Sequence, residues 1–378
     1  MARMDKVGEA VSNAWRNPRR RGGSEEMKAG DPMALALIDG APASLDAAVA
    51  EAARVLAASA APVLAHIGAD VEGAREAVLL AECIGASLDH AASDALFADL
   101  DPIRETGAML TTPLEAAVRA DLALVVGRYP GDLAWLGRPA RPYGEDIPRK
   151  VIALAATPPV PGATAYDAGE GATLLGFIAA VRARVKGRRL ASAPPSVELL
   201  AAALQQAKFG VALWSAAELE PLAIEAIHGL VRDLNETTRF STLSAPPPDN
   251  GLGVQQVCGW MTGFPLRTGF VRGAPAHDPW RYDARRLVAA GETDCLIWVS
   301  AFEDGAPPPA NTAIALTSGA GTARVCFAVA RPGVDSDAIL YDPGVGTFIA
   351  RRAAAASPAP TVAAILRAIR QSLGGPPC

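Results

Sequence analysis

The chain has 378 residues, half of them hydrophobic but only 5% aromatic, enough for two domains or one large α/β domain built on aliphatic strands and alanine-rich helices. Lysine and arginine total 35 against 40 acidic residues, a net charge of −5, which argues against a nucleic-acid binder. No apolar run reaches the roughly 18 residues needed to cross a bilayer and no secretory signal opens the chain, so a cytoplasmic protein without a membrane span is expected.

Residues 1–33, with the arginine cluster between Trp15 and Gly22, read as a basic, solvated arm, and Met27 or Met33 is a conceivable start. Ser44 then begins a helix carrying Val49, Ala52, Ala53 and Leu56, with Asp46 in its first turn. A strand-like run follows at 62–68, and a second helix from Val71 to Ile84 places Ala74, Val78 and Ala81 on one face. The theme recurs with helical 113–118 and the apolar runs 121–126 and 150–155. It recurs again with helix 196–208, run 209–214 and helix 221–234, and closes with runs 294–300 and 324–329. Short, continuously apolar strands alternating with amphipathic helices predict parallel sheets covered on both faces, a doubly wound α/β fold. Proline- and glycine-rich stretches at 157–162, 191–195, 245–251 and 305–310 punctuate this pattern without forming linkers.

Such sheets hold ligands beyond the carboxyl ends of their strands. Those ends read Gly127 to Gly131, Trp214 to Glu218 and Ser300 to Gly305. None carries a Gly-x-Gly-x-x-Gly fingerprint or a P-loop, and the pair Gly319 and Gly321 reads as a turn. The four histidines (66, 90, 228, 277) are scattered, with no His-Glu-x-x-His. His66, inside a strand, is read as a satisfied core histidine and His228 as a packing group, whereas His90 follows a strand end, a better functional address. Glu303 and Asp304 read as solvated loop charges. The five cysteines (83, 258, 295, 326, 378) form no Cys-x-x-Cys pair and are expected to be free thiols, with Cys258 alone in an electropositive setting.

The least ordinary stretch is 258–277, CGWMTGFPLRTGFVRGAPAH. Read as a loop, it offers Arg267 and Arg272 as a clamp for an anion and Trp260 and Phe264 as stacking rings. A structural loop whose arginines pair with the chain's own carboxylates is the alternative, and residue types leave both open.

Here the sequence resembles a known family. Residues 250–265 and 273–279 look like the corresponding loop of the B-type subunit of formylmethanofuran dehydrogenase, a relative of the molybdopterin oxidoreductases. Leu37 to Gly40 with the helix from Ser44, the segment 120–130, Arg239 to Ser241 and Asp294 to Val299 agree in order. The likeness spans about 35–350. It implies two doubly wound, Rossmann-like parallel-sheet subdomains of molybdopterin-oxidoreductase type, one inserted in the other. Their expected bounds are 34–105 with 285–378, and 106–284.

The departures carry the functional reading. The family's N-terminal iron–sulfur cluster needs closely spaced cysteines, and none precedes Cys83. The family's sulfur ligand to molybdenum or tungsten falls at Ala95, which has no donor atom. A scaffold without its redox apparatus is similar to the B-type subunit of the formyltransferase/hydrolase complex of methylotrophic bacteria. The resemblance implies a non-catalytic structural subunit with no catalytic residue, cofactor or metal of its own. It also implies a hetero-oligomer with an amidohydrolase-like, A-type metal subunit, together with C-type and D-type subunits, the last a formyltransferase. That complex passes a formyl group from formyl-tetrahydromethanopterin to methanofuran and releases formate. Trp260, Arg267 and Arg272 are then vestiges of a pterin pocket. The rival readings are a subunit of an active molybdenum or tungsten dehydrogenase and a free-standing anion-binding protein.

Overall fold

In a computed structural model, which describes residues 35–168, 172–302, 309, 311–319 and 322–374, Ser44 caps its helix through the Ala47 amide, which donates to its hydroxyl at 3.2 Å. The expected arm at 1–33, with Glu303, Asp304, Gly321 and Cys378, lies outside the described residues. The chain opens with strands β1 (Ala36–Ile38) and β2 (Ala41–Pro42), then helix α1 (Leu45–Ala57) and β3 (Pro62–Gly68), every residue of which is buried. Asp70 caps α2 (Val71–Ile84) by accepting from the Gly73 amide at 2.9 Å, and Gly85 ends it at φ 70°, a left-handed turn suited to glycine. β4 (Ser87–Leu88) follows.

A second unit occupies Asp94–Pro246, with Asp342–Thr347. It contains α3 (Ser93–Thr106), α4 (Pro113–Arg119), β5 (Leu122–Val126), β6 (Lys150–Leu154), β7 (Thr164–Tyr166) and α5 (Leu174–Val185). It continues through α6 (Pro195–Gln205), β8 (Gly210–Trp214), α7 (Pro221–Leu234) and β9 (Phe240–Ser244). All five strands are parallel in the order β7-β6-β5-β8-β9. Alternation along β5 sends Leu122, Leu124 and Val126 into one core with Ile178, Leu200 and Ile227, and Ala123 and Val125 into another with Ala116 and Trp135. Both faces are therefore covered, as a continuously apolar parallel strand demands. The sequence reading missed α3, whose Pro102 and scattered Asp94, Asp99 and Asp101 blur the helical period, and α5, which has little amphipathic contrast.

The chain then returns to the first unit with α8 (Gly251–Thr262), β10 (Thr268–Gly269), β11 (Ala276–His277), α9 (Ala284–Ala289) and β12 (Cys295–Ser300). β13 (Thr312–Thr317), β14 (Val325–Ala328), the hairpin β15 (Ala338–Asp342) and β16 (Thr347–Arg351), and α10 (Val362–Ser372) complete it. Its sheet runs β11-β10-β4-β3-β12-β13-β14-β1-β2, parallel from β4 to β14 with antiparallel margins. The structure is thus α/β with parallel sheets, as expected.

The expected division after 105 and 284 differs from these units. Thr268 and Gly269 pair with Leu88 and Ser87, so the segment after 246 belongs to the first sheet, not to the inserted unit. The stretch from Cys258 is also not all loop, because α8 runs to Thr262. Its Val254, Val257 and Cys258 are buried on one helical face, and Gly263 stops it at φ 77°.

Candidate functional site

β3 leads to β4 on one side of the large sheet, and β12 leads to β13 and β14 on the other. The strand order reverses between β3 and β12, the position at which open α/β sheets bind ligands. At this point the ladder is irregular. Trp298 pairs with Ala65 and Ser300 with Gly68, so His66 and Ile67 together oppose Val299 alone. The bulge is taken up at His66, whose φ is 57°. Extra residues of this kind bend a strand and re-aim a side chain. Here the His66 ring leaves the strand's alternation and stacks on Trp298, centroids 4.5 Å apart and 19° between planes.

Three more residues in left-handed backbone surround it: Asp249 (φ 55°), Asn250 (φ 57°) and Arg267 (φ 58°). Four of the six described non-glycine residues with positive φ therefore meet in one cluster. Each costs on the order of 1–3 kcal/mol, and such strain gathers at functional sites. Asn250 holds the arrangement by donating from Nδ2 to the Ala69 carbonyl (2.8 Å) and accepting on Oδ1 from the Tyr341 amide (3.0 Å). Gly251 follows because a Cβ there would lie 2.9 Å from the His90 ring.

Polar groups in the cluster are mostly committed. Asp249 Oδ2 lies 3.4 Å from His66 Nε2, and the Asp249 carbonyl lies 3.4 Å from His90 Nε2. His90 Nδ1 accepts from the Ala92 amide at 3.0 Å. Burial pushes His90 down to about 4, so its imidazole is neutral. Asp89 accepts from the His90 and Ala284 amides, both at 2.9 Å, and burial outweighs the nearby Ser93 hydroxyl and Arg267 charge to raise its carboxyl above the ordinary range. Arg267 sits between Asp89 (3.5 Å) and Asp283 (3.0 Å) and donates to the Pro279 carbonyl (3.0 Å).

Beside this cluster lies a cavity of about 440 Å³ on the face of the sheet where α9 packs. His66, His90 and Asp89 line it with mostly apolar neighbours, among them Ala65, Leu296 and Trp298. Among the described residues, no group of three or more histidine, cysteine, aspartate or glutamate side chains is placed to hold a metal ion.

The residues singled out from sequence do not converge. Of the residues offered from 258–277, Arg267 alone enters the cluster, and it is buried; His90, the histidine after a strand end, is also part of it. Trp260 is 62% exposed and tilts against Phe348, 5.0 Å between centroids, and Arg272 is exposed. Phe264 stacks on His277 at 6.3 Å. Ala95 lies in α3 against the core of the five-stranded unit. Two readings need correction. His66 is buried but unsatisfied, since among the described residues neither ring nitrogen makes a hydrogen bond and Nε2 only approaches the Asp249 carboxylate at 3.4 Å. Cys258 is not electropositive: burial holds its thiol up at about 11, and its Sγ approaches the Pro265 carbonyl. His228 packs edge-on against Trp214, as expected of a packing group. Asp249, Asn250 and Trp298 were missed. The triplet Asp249-Asn250-Gly251, three residue types tolerant of left-handed backbone, was the available signal.

No family model matches the chain. It is 36% identical over 360 residues to the B-type subunit of the formyltransferase/hydrolase complex Fhc of Methylorubrum extorquens, covering 89% of this chain and 98% of that protein. It is 27% identical over 273 residues to the B-type subunit of the tungsten-containing formylmethanofuran dehydrogenase 2 of Methanocaldococcus jannaschii, 67% of this chain and 63% of that one. A chain in the X-ray crystal structure of the formyltransferase/hydrolase complex FhcABCD from M. extorquens, in complex with methylofuran, superposes with a TM-score of 0.83 at 35% identity. That match covers 89% of this chain and 98% of the other.

Proposed function

This chain belongs to the family of B-type subunits of the formyltransferase/hydrolase complex, and from that premise we propose that it is a structural subunit of such a complex. In this reading it assembles with an amidohydrolase-like, A-type metal subunit, with a C-type partner and with a D-type formyltransferase. The assembly moves a formyl group from formyl-tetrahydromethanopterin to methanofuran and releases formate, and this chain supplies none of the reacting groups. The match over nearly the whole length of both chains carries the assignment.

The donor set supports a silent role. A pterin-bound molybdenum or tungsten needs an anchoring ligand, and Ala95, packed on α3, offers no donor atom. Cys258 keeps its proton. Arg267 is engaged by two carboxylates of this chain, which opposes both a pterin clamp and a free-standing anion site. The residues therefore do not fit a bis-pterin metal centre, and no step is derived through one. Two doubly wound units, one interrupting the other in sequence, agree with a molybdopterin-oxidoreductase ancestry. Four cysteines without a disulfide (83, 258, 295 and 326) suit a cytoplasmic location.

The test is metal and pterin analysis of the complex purified from its host with its companion subunits. Formate release with molybdenum, tungsten and pterin all far below one per chain is expected. Stoichiometric metal with pterin would overturn the structural reading.

A further inference from the structure

We propose that the turn 279–282, at the β11 edge of the large sheet, is a docking surface for an acidic segment of a companion subunit, with the Trp280 indole as its anchor and Arg281 as its charge contact. The inference deepens the assembly role and rests on it. It names the chemistry by which a neighbour grips this chain.

The ring is exposed and yet fixed. Trp280 is 70% exposed, which for a lone surface ring needs no explanation, but its backbone is held from both sides. Asp278 Oδ1 accepts from the Trp280 amide at 3.0 Å and from the Arg281 amide at 2.8 Å. Arg286 donates to the Trp280 carbonyl at 2.9 Å and to the Arg281 carbonyl at 3.0 Å. Glu292 fixes the same guanidinium at 2.8 and 3.0 Å, and that guanidinium lies 4.1 Å from the indole centroid. Tyr282 is buried beneath, in room that Gly269 leaves: a Cβ there would come within 2.3 Å of the phenol ring.

A side chain held in this way loses little freedom when a partner closes on it, and such preorganisation strengthens association without added contact area. Tryptophan and arginine are also among the residue types that most often dominate interface energies. The turn places one of each side by side, both exposed.

Charge identifies the partner's chemistry. Residues 272–286 carry four arginines against two aspartates, in a chain whose net charge is −5. Both aspartates are engaged within the chain. Asp278 caps the turn, and Asp283 accepts from the Arg285 and Arg286 amides and pairs with Arg267. Arg272 and Arg281 are exposed, and among the described residues no carboxylate lies within ion-pair distance of either. Asp278 is a weaker neighbour of Arg281, its carboxyl held below the ordinary range chiefly by the Arg281 and Trp280 amides. A basic, aromatic turn is matched by a carboxylate-bearing surface and repels a basic one. Two copies of this acidic chain repel one another overall, which favours a different chain as the occupant.

The test uses the intact complex purified with its companion subunits, with this chain labelled and its exchange chased by excess unlabelled chain. Trp280→Ala is expected to speed dissociation about 30-fold, the usual size of effect for a dominant interface residue. Arg281→Glu speeds it about 10-fold or more by setting a carboxylate against carboxylates. Salt at about 0.5 M speeds wild-type exchange and acts less on Arg281→Ala. Both side chains lie at the surface, so thermal midpoints of the variants should stay near wild type. Should Trp280→Ala nonetheless fail to fold, the two Arg281 variants carry the test. The proposal is overturned if folded Trp280→Ala exchanges at the wild-type rate, if Arg281→Glu exchanges no faster than wild type, or if salt leaves wild-type exchange unchanged. It is equally overturned if the chain alone forms a dimer that Trp280→Ala dissolves. A wild-type chain that never assembles with the companion subunits would instead overturn the assembly reading, and this proposal with it.

Discussion

Arg267 Nη2 lies 3.0 Å from Asp283 Oδ2, and the same guanidinium reaches the buried Asp89 carboxylate at 3.5 Å. A side chain that looks from sequence like an anion clamp is thereby a structural cation, pinning the segment after α8 and the start of α9 to the end of β4.

Arg267→Ala should therefore destabilise the fold. It leaves Asp89 without its cation, and breaking such a buried pair from one side costs about 3–5 kcal/mol. Arg267→Lys keeps a charge but loses the planar fork that serves Asp89, Asp283 and the Pro279 carbonyl together, so it should fall in between. Urea titration gives both values. Wild-type stability for Arg267→Ala would sink the structural assignment.

Glu76 and Arg370 are both buried and join α2 to α10, Oε2 to Nη2 at 3.2 Å, with Arg367 on the other carboxylate oxygen at 2.9 Å. Glu76→Ala is expected to cost roughly 3–5 kcal/mol by stranding Arg370. Amide exchange should locate the loss: if protection in α10 survives the substitution, this pair does not hold the helix.

Asp99 accepts from the Trp214 indole nitrogen at 2.9 Å and from the Ser244 hydroxyl, yet burial outweighs these bonds and lifts its carboxyl to about 6. A carboxyl raised above its unfolded value of 3.8 contributes stability that is complete below that value and lost as pH rises through about 6. The swing is at most about 3 kcal/mol, reduced by the group's partial exposure. His90, depressed to about 4, acts oppositely, contributing stability above its unfolded value that is lost as pH falls through about 4. In the wild type the two offset one another between about 4 and 6. Asp99→Asn should remove this group's contribution, so across that window its unfolding midpoint rises more, or falls less, with pH than that of the wild type. A variant profile parallel to wild type would refute the shifted carboxyl.

Arg149 donates to the carbonyls of Ala117, Ala120, Trp135 and Arg138 and lies over the Trp135 ring at 4.9 Å. It ties the end of α4 to the turn at Ala134–Gly137. Desolvation lowers it to about 10, so it stays charged at neutral pH. Lysine cannot reach four carbonyls in two directions, and Arg149→Lys is expected to cost roughly 2–4 kcal/mol. A thermal midpoint within a degree of wild type would show that the four bonds add nothing.

Much of the fold was legible because its strands are buried on both sides. Leu122 to Val126 and Gly210 to Trp214 are apolar without interruption, and the caps at Ser44 and Asp70 mark helix starts by side-chain chemistry alone. The site was harder to read because its residues join only through sheet order. His66 and Trp298 lie 232 positions apart and meet because β12 pairs with β3. A histidine in an apolar run carries no mark of the backbone it adopts, so the bulge at His66 was invisible. Arg267 was legible as a residue but not as a partner, since Asp89 precedes it by 178 positions.

The order of strands also constrains how the chain is made. β5 to β9 are complete once residue 246 has emerged, so the five-stranded sheet can close during synthesis. The large sheet cannot, because β12 to β14 must slot between β3 and β1. At translation rates of about 5–20 residues per second, roughly 200 intervening residues keep one edge of β3 and one edge of β1 open for about 10–40 s. Unpaired apolar edges recruit other chains. A nascent chain of this topology thus has its greatest need of a chaperone between the emergence of β4 and that of β12.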